Sequence, residues 1–192
     1  MDRFRNKQPA YDFAVTWRPY MLNPTLPKYG VDKVEAYNQK FGESRVKAMV
    51  PHLTSVFKKE DIDFSFGGLI SNTMDSHRLL NIALGNGDAA GRATQDKVVN
   101  LLFKAYFEES KNIGDPELLT QVAAEAGLDV ENVKAVLASD TGVDNIMAEM
   151  AERNEGVNGV PHFIIQNKYR IGGAEDPQEF VEIFDEIAVS SQ

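Results

Sequence analysis

Three observations on the sequence predict an α/β fold in which strands flank a long helical block. Residues Tyr11 to Trp17 alternate apolar and polar side chains, the period of a strand with one buried face. Helical patterns follow from Val31 to Arg153. The chain then closes on GVNGVPHFIIQNKYRIGGAEDPQEFVEIFDEI, Gly156 to Ile187, which reads as loop, strand, tight turn, strand, glycine corner and helix. At 192 residues, strands on either side of such a block indicate one α/β domain interrupted by a helical insertion, not two tandem domains.

The Tyr11–Trp17 alternation fits an edge strand of a small sheet. Pro19, Pro24 and Pro27 then forbid regular structure through LNPTLPKYG. Val31 to Phe41 predicts a short helix stopped by Gly42, and Ser44 to Lys59 a second one, entered or interrupted near Pro51. Asp63 to Phe66 predicts a short extended piece. Asp75 to Leu84 and Arg92 to Glu109 are strongly helical, the latter with Val98, Leu101, Leu102, Ala105 and Tyr106 on one side. Asp115 caps a helix over Pro116 to Ala126 that Gly127 ends, and Asp129 caps Val130 to Leu137. Thr141 to Arg153 is the last helix of the block.

In the closing stretch Phe163, Ile164 and Ile165 form a continuous apolar run, the pattern of a strand covered on both faces. Asn167 and Lys168 suit a two-residue turn into an antiparallel partner, Tyr169 to Ile171. Asp176 caps a helix that has Pro177 first and Glu179 third, with Phe180, Ile183, Phe184 and Ile187 along one face.

Composition excludes several function classes. A net charge of −9 repels phosphate backbones, and no local basic patch offsets it, so nucleic acid is not an expected partner. No run of about 18 apolar residues is present to span a membrane. The absence of a secretory pattern at the N-terminus makes a cytoplasmic location the expectation. With zero cysteine there is no disulfide, thiolate nucleophile or sulfur ligand. His52, His77 and His162 lack metal spacing, so no metal and no cofactor are expected. Gly85, Gly87 and Gly91 follow a helix instead of a strand, which makes them a helix connection and not a phosphate loop.

A Val-Pro pair leading into a buried strand, GVPHFII followed by GAEDPQEF, resembles the DsbA family of thioredoxin-like proteins, closest to its FrnE-type branch. WRPYMLNP at Trp17 to Pro24, NTMDSHRL at Asn72 to Leu79, and AYFEESKNIGDPELLTQVAAEAGLD at Ala105 to Asp129 agree with it in the same order. The resemblance implies a thioredoxin-like fold over residues 1–192, with 31–155 as helical insertion and 156–188 as the C-terminal hairpin and helix. It also implies a first strand and a Cys-x-x-Cys at a helix start ahead of the WRPY strand. Neither motif is present, and residues 1–8 resemble the tail of the helix that would follow them. The expectation is therefore a truncated member whose full-length form exchanges disulfides with a protein thiol or a small thiol. Removing a central strand would leave a gap of about 10 Å between its neighbours, so the chain is expected to rearrange, to borrow a strand as a homo-oligomer, or to be poorly stable.

The resemblance assigns Val160, Pro161 and His162 to the substrate loop, with a cis peptide before Pro161; otherwise trans is the default, since about 5% of X-Pro bonds are cis. Asn72, Thr73, His77 and Arg78 are the other candidate substrate-binding residues, on a helix that faces the cleft in the resembling family. The bland reading of His77 and Arg78 is a satisfied polar pair at the edge of the core. Two further function classes remain open from the sequence. One is a glutathione-dependent transferase or isomerase of the kappa or 2-hydroxychromene-2-carboxylate isomerase type, and the other is a non-catalytic module that binds extended peptides by backbone pairing.

Overall fold

A computed structural model describes Met1, Phe4 and residues 11–190, and divides the chain into two units. One, the hairpin unit, comprises residues 1–15 and 151–192; the other, the helical unit, is Thr16–Met150. The helix tail expected over residues 1–8 lies outside the described residues except at Met1 and Phe4. Among the described residues there are eight helices and two separate two-stranded sheets.

The helical unit begins with β1 (Val31–Asp32), α1 (Lys33–Phe41) and α2 (Glu43–Lys58). Asp32 caps α1 by accepting from the Glu35 N–H at 2.8 Å. α2 runs through Pro51, where the helix was expected either to begin or to be interrupted. The piece predicted over Asp63–Phe66 is irregular, and pairing comes later, at β2 (Leu69–Ile70), antiparallel to β1.

α3 (Met74–Leu84), α4 (Ala89–Phe107), α5 (Pro116–Ala126) and α6 (Val130–Leu137) form the core, followed by α7 (Val143–Arg153). Their boundaries follow local signals. The carboxylates of Asp88, Asp115 and Asp129 each accept from a backbone N–H in the first turn of the helix they begin. Gly127, at φ 85°, ends α5 in the left-handed conformation that glycine adopts without strain. Gly91 lets α4 lie close to the end of α3, because a Cβ there would stand 2.0 Å from the Leu84 carbonyl oxygen. Leu79, Val98, Leu119 and Val133 meet in this core at zero exposure.

The segment expected to be an edge strand, Tyr11–Trp17, is irregular. Its alternation has another origin at each end. In the hairpin unit the Tyr11 hydroxyl donates to the Ala188 carbonyl at 3.2 Å, and the Phe13 ring packs edge-on against Phe184 at 4.9 Å. In the helical unit the fully buried Gln95 clamps Trp17. Its Oε1 accepts from the Trp17 N–H at 2.9 Å and its Nε2 donates to the Trp17 carbonyl at 3.0 Å. A side-chain amide thus supplies both hydrogen bonds that a neighbouring strand would have made.

The hairpin unit contains β3 (His162–Ile165), β4 (Tyr169–Gly172) and α8 (Pro177–Ser190). β3 and β4 pair antiparallel, with His162 opposite Gly172 and Ile165 opposite Tyr169. The turn sits one residue earlier than expected. Gln166 and Asn167 carry the positive φ values, 51° and 56°, and the Lys168 N–H returns to the Ile165 carbonyl at 3.0 Å. Asp176 caps α8 through the Gln178 N–H. β3 is not covered on both faces, since Phe163 is 38% and its neighbour Ile164 41% exposed, and among the described residues no third strand joins this sheet. Its apolar run is used in part by Phe180 of α8, whose ring meets Phe163 edge-on at 4.9 Å.

Candidate binding site

In the hairpin unit, the loop that leaves α7 turns at Asn154–Val157 and reaches β3 through Val160 and Pro161, whose peptide bond is cis. The Gly173 N–H donates to the Pro161 carbonyl at 2.9 Å, tying the loop to the end of β4. Between them lies a concavity of about 370 Å3, walled by four glycines, 156, 159, 172 and 173, and by Asn158, Val160, Pro161 and His162. This size falls within the usual range for a small-ligand or peptide site.

Glycine dominates the wall, so backbone is what the concavity presents. Among the described residues the N–H and C=O of Val160 have no hydrogen-bond partner, and Val160 is 48% exposed. The His162 ring lies beside Gly172, with Nδ1 3.5 Å from where a Cβ at that glycine would stand, while Nε2 is shielded from solvent and unpartnered. The arrangement can accept an extended chain through backbone hydrogen bonds. It holds no thiol, and no group of three metal-ligating side chains occurs among the described residues.

The second set of predicted residues stands at the start of α3, in the helical unit. Asn72 accepts from the Met74 N–H and donates to the Pro24 carbonyl, both at 2.9 Å, so its amide begins the helix and fastens the proline-rich segment to it. Thr73 Oγ1 is 3.5 Å from His77 Nε2, which also lies 3.2 Å from the Tyr20 carbonyl oxygen. That carbonyl needs a donor, so the proton of the neutral ring belongs on Nε2 and Nδ1 is left as an acceptor, buried and without a partner. Burial pushes the His77 pKa below its ordinary value; the Tyr20 carbonyl and the Glu149 carboxylate oppose that shift. The space beside the ring, bordered by Arg18, Gln95 and Glu149, measures about 10 Å3, room for one water and no larger ligand.

Arg78 is enclosed, its side chain 1% exposed. Nη1 donates to Asp75 at 2.6 Å, Nε to the Thr141 carbonyl at 3.0 Å, and Nη2 to the carbonyls of Ser139 and Val136. It closes the C-terminal end of α6 and is out of a ligand's reach. The structure thus brings Val160, Pro161 and His162 together around one concavity, and sets Asn72, Thr73 and His77 at the N-terminal end of α3. The sequence reading missed Asn158 and the four wall glycines. Their signal was the crowding of glycine on both sides of the proline strand, GVNGVP before it and GG after its partner.

Comparison with known proteins gives consistent likenesses. The family described as DSBA-like thioredoxin domain matches residues 1–185. The uncharacterized protein YwbO of Bacillus subtilis (strain 168) is 26% identical over 167 residues, covering 85% of this chain and 77% of that protein. The crystal structure of a probable DsbA oxidoreductase, SCO1869 from Streptomyces coelicolor, superposes with a TM-score of 0.77 at 25% identity, covering 88% of this chain and 73% of the other.

Proposed function

The chain belongs to the DSBA-like thioredoxin domain family, and from that premise we propose that its proline loop, Val160 to His162, holds an extended peptide of the kind a thiol-disulfide oxidoreductase acts on. Within the family we propose the FrnE-type branch, which the GVPHFII and GAEDPQEF stretches resemble and with which WRPYMLNP and NTMDSHRL agree. Disulfide exchange proceeds by attack of a thiolate on a disulfide sulfur. These 192 residues contain no cysteine, so what they contribute to such a reaction is recognition and not the nucleophile.

The observation that carries the reading is the unpaired backbone of Val160 at the edge of a glycine-walled concavity. An extended peptide laid there exchanges two backbone hydrogen bonds with one residue and needs no particular side chain. Fluorescence anisotropy with an unstructured, cysteine-free peptide tests this. Saturable binding is expected, weakened about tenfold when the peptide N–H that pairs with Val160 is N-methylated, because a carbonyl is then left unsatisfied. Absence of binding, or binding indifferent to N-methylation at every peptide position, would overturn it.

A further inference from the structure

The sequence contains two Asn-Gly pairs, Asn86–Gly87 and Asn158–Gly159. Such a pair carries its own chemistry. The backbone nitrogen of the glycine can attack Cγ of the asparagine side chain, forming the N–Cγ bond of a cyclic imide as ammonia leaves with the amide proton. Water then opens the imide at either carbonyl, giving aspartate or isoaspartate. No oxidant or enzyme is required. Glycine favours the step because it has no Cβ to obstruct the approach and few limits on its backbone.

The two pairs differ in what the fold does to the attacking nitrogen. At Gly87 the N–H is spent on the Leu84 carbonyl at 2.9 Å, and the Gly87 carbonyl accepts from Arg92 Nη1, so the pair is fixed within the α3–α4 connection. At Gly159 the N–H has no partner among the described residues, and a Cβ built there would meet nothing within 4 Å. Asn158 is exposed. We infer that Asn158 is a site of spontaneous deamidation in the folded protein, whereas Asn86 is protected by the hydrogen bond on Gly87.

The position gives the modification a consequence. Asn158 and Gly159 are both in the wall of the concavity, with Val160 next in the chain. Deamidation puts a carboxylate into that wall, and the isoaspartate product also adds a methylene to the backbone leading into Val160. If the loop holds a peptide, as proposed above, ageing of the protein turns the site against acidic peptides; this consequence rests on that reading, while the deamidation itself does not.

The test is peptide mapping by mass spectrometry of the full chain, aged at mildly alkaline pH and 37 °C, with isoaspartate detected by methyltransferase labelling. The Asn158 peptide is expected to gain the mass of an amide-to-acid conversion at least about fivefold faster than the Asn86 peptide, the factor that one net hydrogen bond supplies. In concentrated urea the two rates should converge. Gly159→Ala should slow conversion at 158 and leave 86 unchanged. Equal native rates, faster loss at Asn86, or a difference that persists in urea would overturn the inference. For the consequence, Asn158→Asp should bind an acidic peptide more weakly than the unaged protein does, and equal binding would sink it. A parent protein that binds no peptide at all would instead sink the binding reading and leave the mapping result standing.

Discussion

The two units close their apolar surfaces to different degrees. In the helical unit, α3, α4, α5 and α6 bring Leu79, Val98, Leu119 and Val133 out of contact with water altogether, and even a buried charge is satisfied, Arg78 by one carboxylate and three carbonyls. In the hairpin unit the apolar strand β3 stays partly in water, with its Phe163 served by one ring of α8 and its approach, at Val160, left with free backbone groups. The α3–α6 core, so packed, has nothing left to offer a ligand, although His77 Nδ1 beside it is buried without a partner and Leu22, Tyr29 and Met147 of the same unit are exposed. What sets the hairpin apart is free backbone at Val160 beside an open concavity, and that is where recognition is proposed.

If that contrast is right, the largest effects of substitution belong to the helical unit. Arg78→Met should cost about 3 kcal/mol, because Asp75 would be left buried with only the Lys28 ammonium, 3.5 Å away, and the carbonyls of Ser139 and Thr141 would lose their donor. Urea unfolding measures it, and a loss below about 1 kcal/mol would put the network on a par with a surface ion pair. Leu119→Ala should cost about 3 kcal/mol by the same assay, since a fully buried side chain leaves a cavity. Ile164→Ala, in the hairpin, should cost only about 1 kcal/mol, as part of that side chain is already solvated. Equal costs for the two aliphatic truncations would erase the distinction between the units.

The smallest expected effect is a pH dependence from His77. Its folded pKa lies below the ordinary 6.5, chiefly through burial, so below pH 6.5 the unfolded chain takes up a proton that the folded chain refuses. The stabilisation is complete above pH 6.5 and is lost as the pH falls through the lower folded value. The charged groups beside the ring are Arg18 and Glu149, themselves paired at 2.8 Å. His77→Gln should flatten the stability profile on the acid side, and Glu149→Gln should extend the slope to lower pH by removing the charge that favours the protonated ring. An unchanged profile in His77→Gln would assign the acid sensitivity to other groups.

Features carried by neighbours in sequence were legible; those made by distant groups were not. Asp115-Pro116 with Gly127, Asp129, and Asp176-Pro177 announce helix ends because each cap is satisfied within three residues of itself. The mixed α/β class was readable from the long helical block and the closing stretch, whereas the cis peptide before Pro161 followed only from the family resemblance, trans being the default from the residues alone. Tyr11–Trp17 misled because a period-two sequence pattern need not mean period-two burial: Tyr11 and Phe13 are half-buried, but Val15 and Trp17 are exposed, and nothing local identifies Gln95 as the residue that takes the Trp17 backbone. The turn slipped by a residue because Gln166, not a residue known for positive φ, adopts it beside Asn167. Arg78 next to His77 reads equally well as a ligand contact or as a helix closure, and only its acceptors, 58 to 63 residues away in the chain, decide.

The central claim is that recognition occurs through the free backbone of Val160, and amide hydrogen exchange followed by NMR, with and without saturating peptide, tests it most directly. The account predicts that the Val160 amide, exposed and unbonded in the free protein, becomes protected on binding while the amides of α3 to α6 keep their rates. Unchanged exchange at Val160 under saturating peptide, or protection confined to the helical unit, would contradict it.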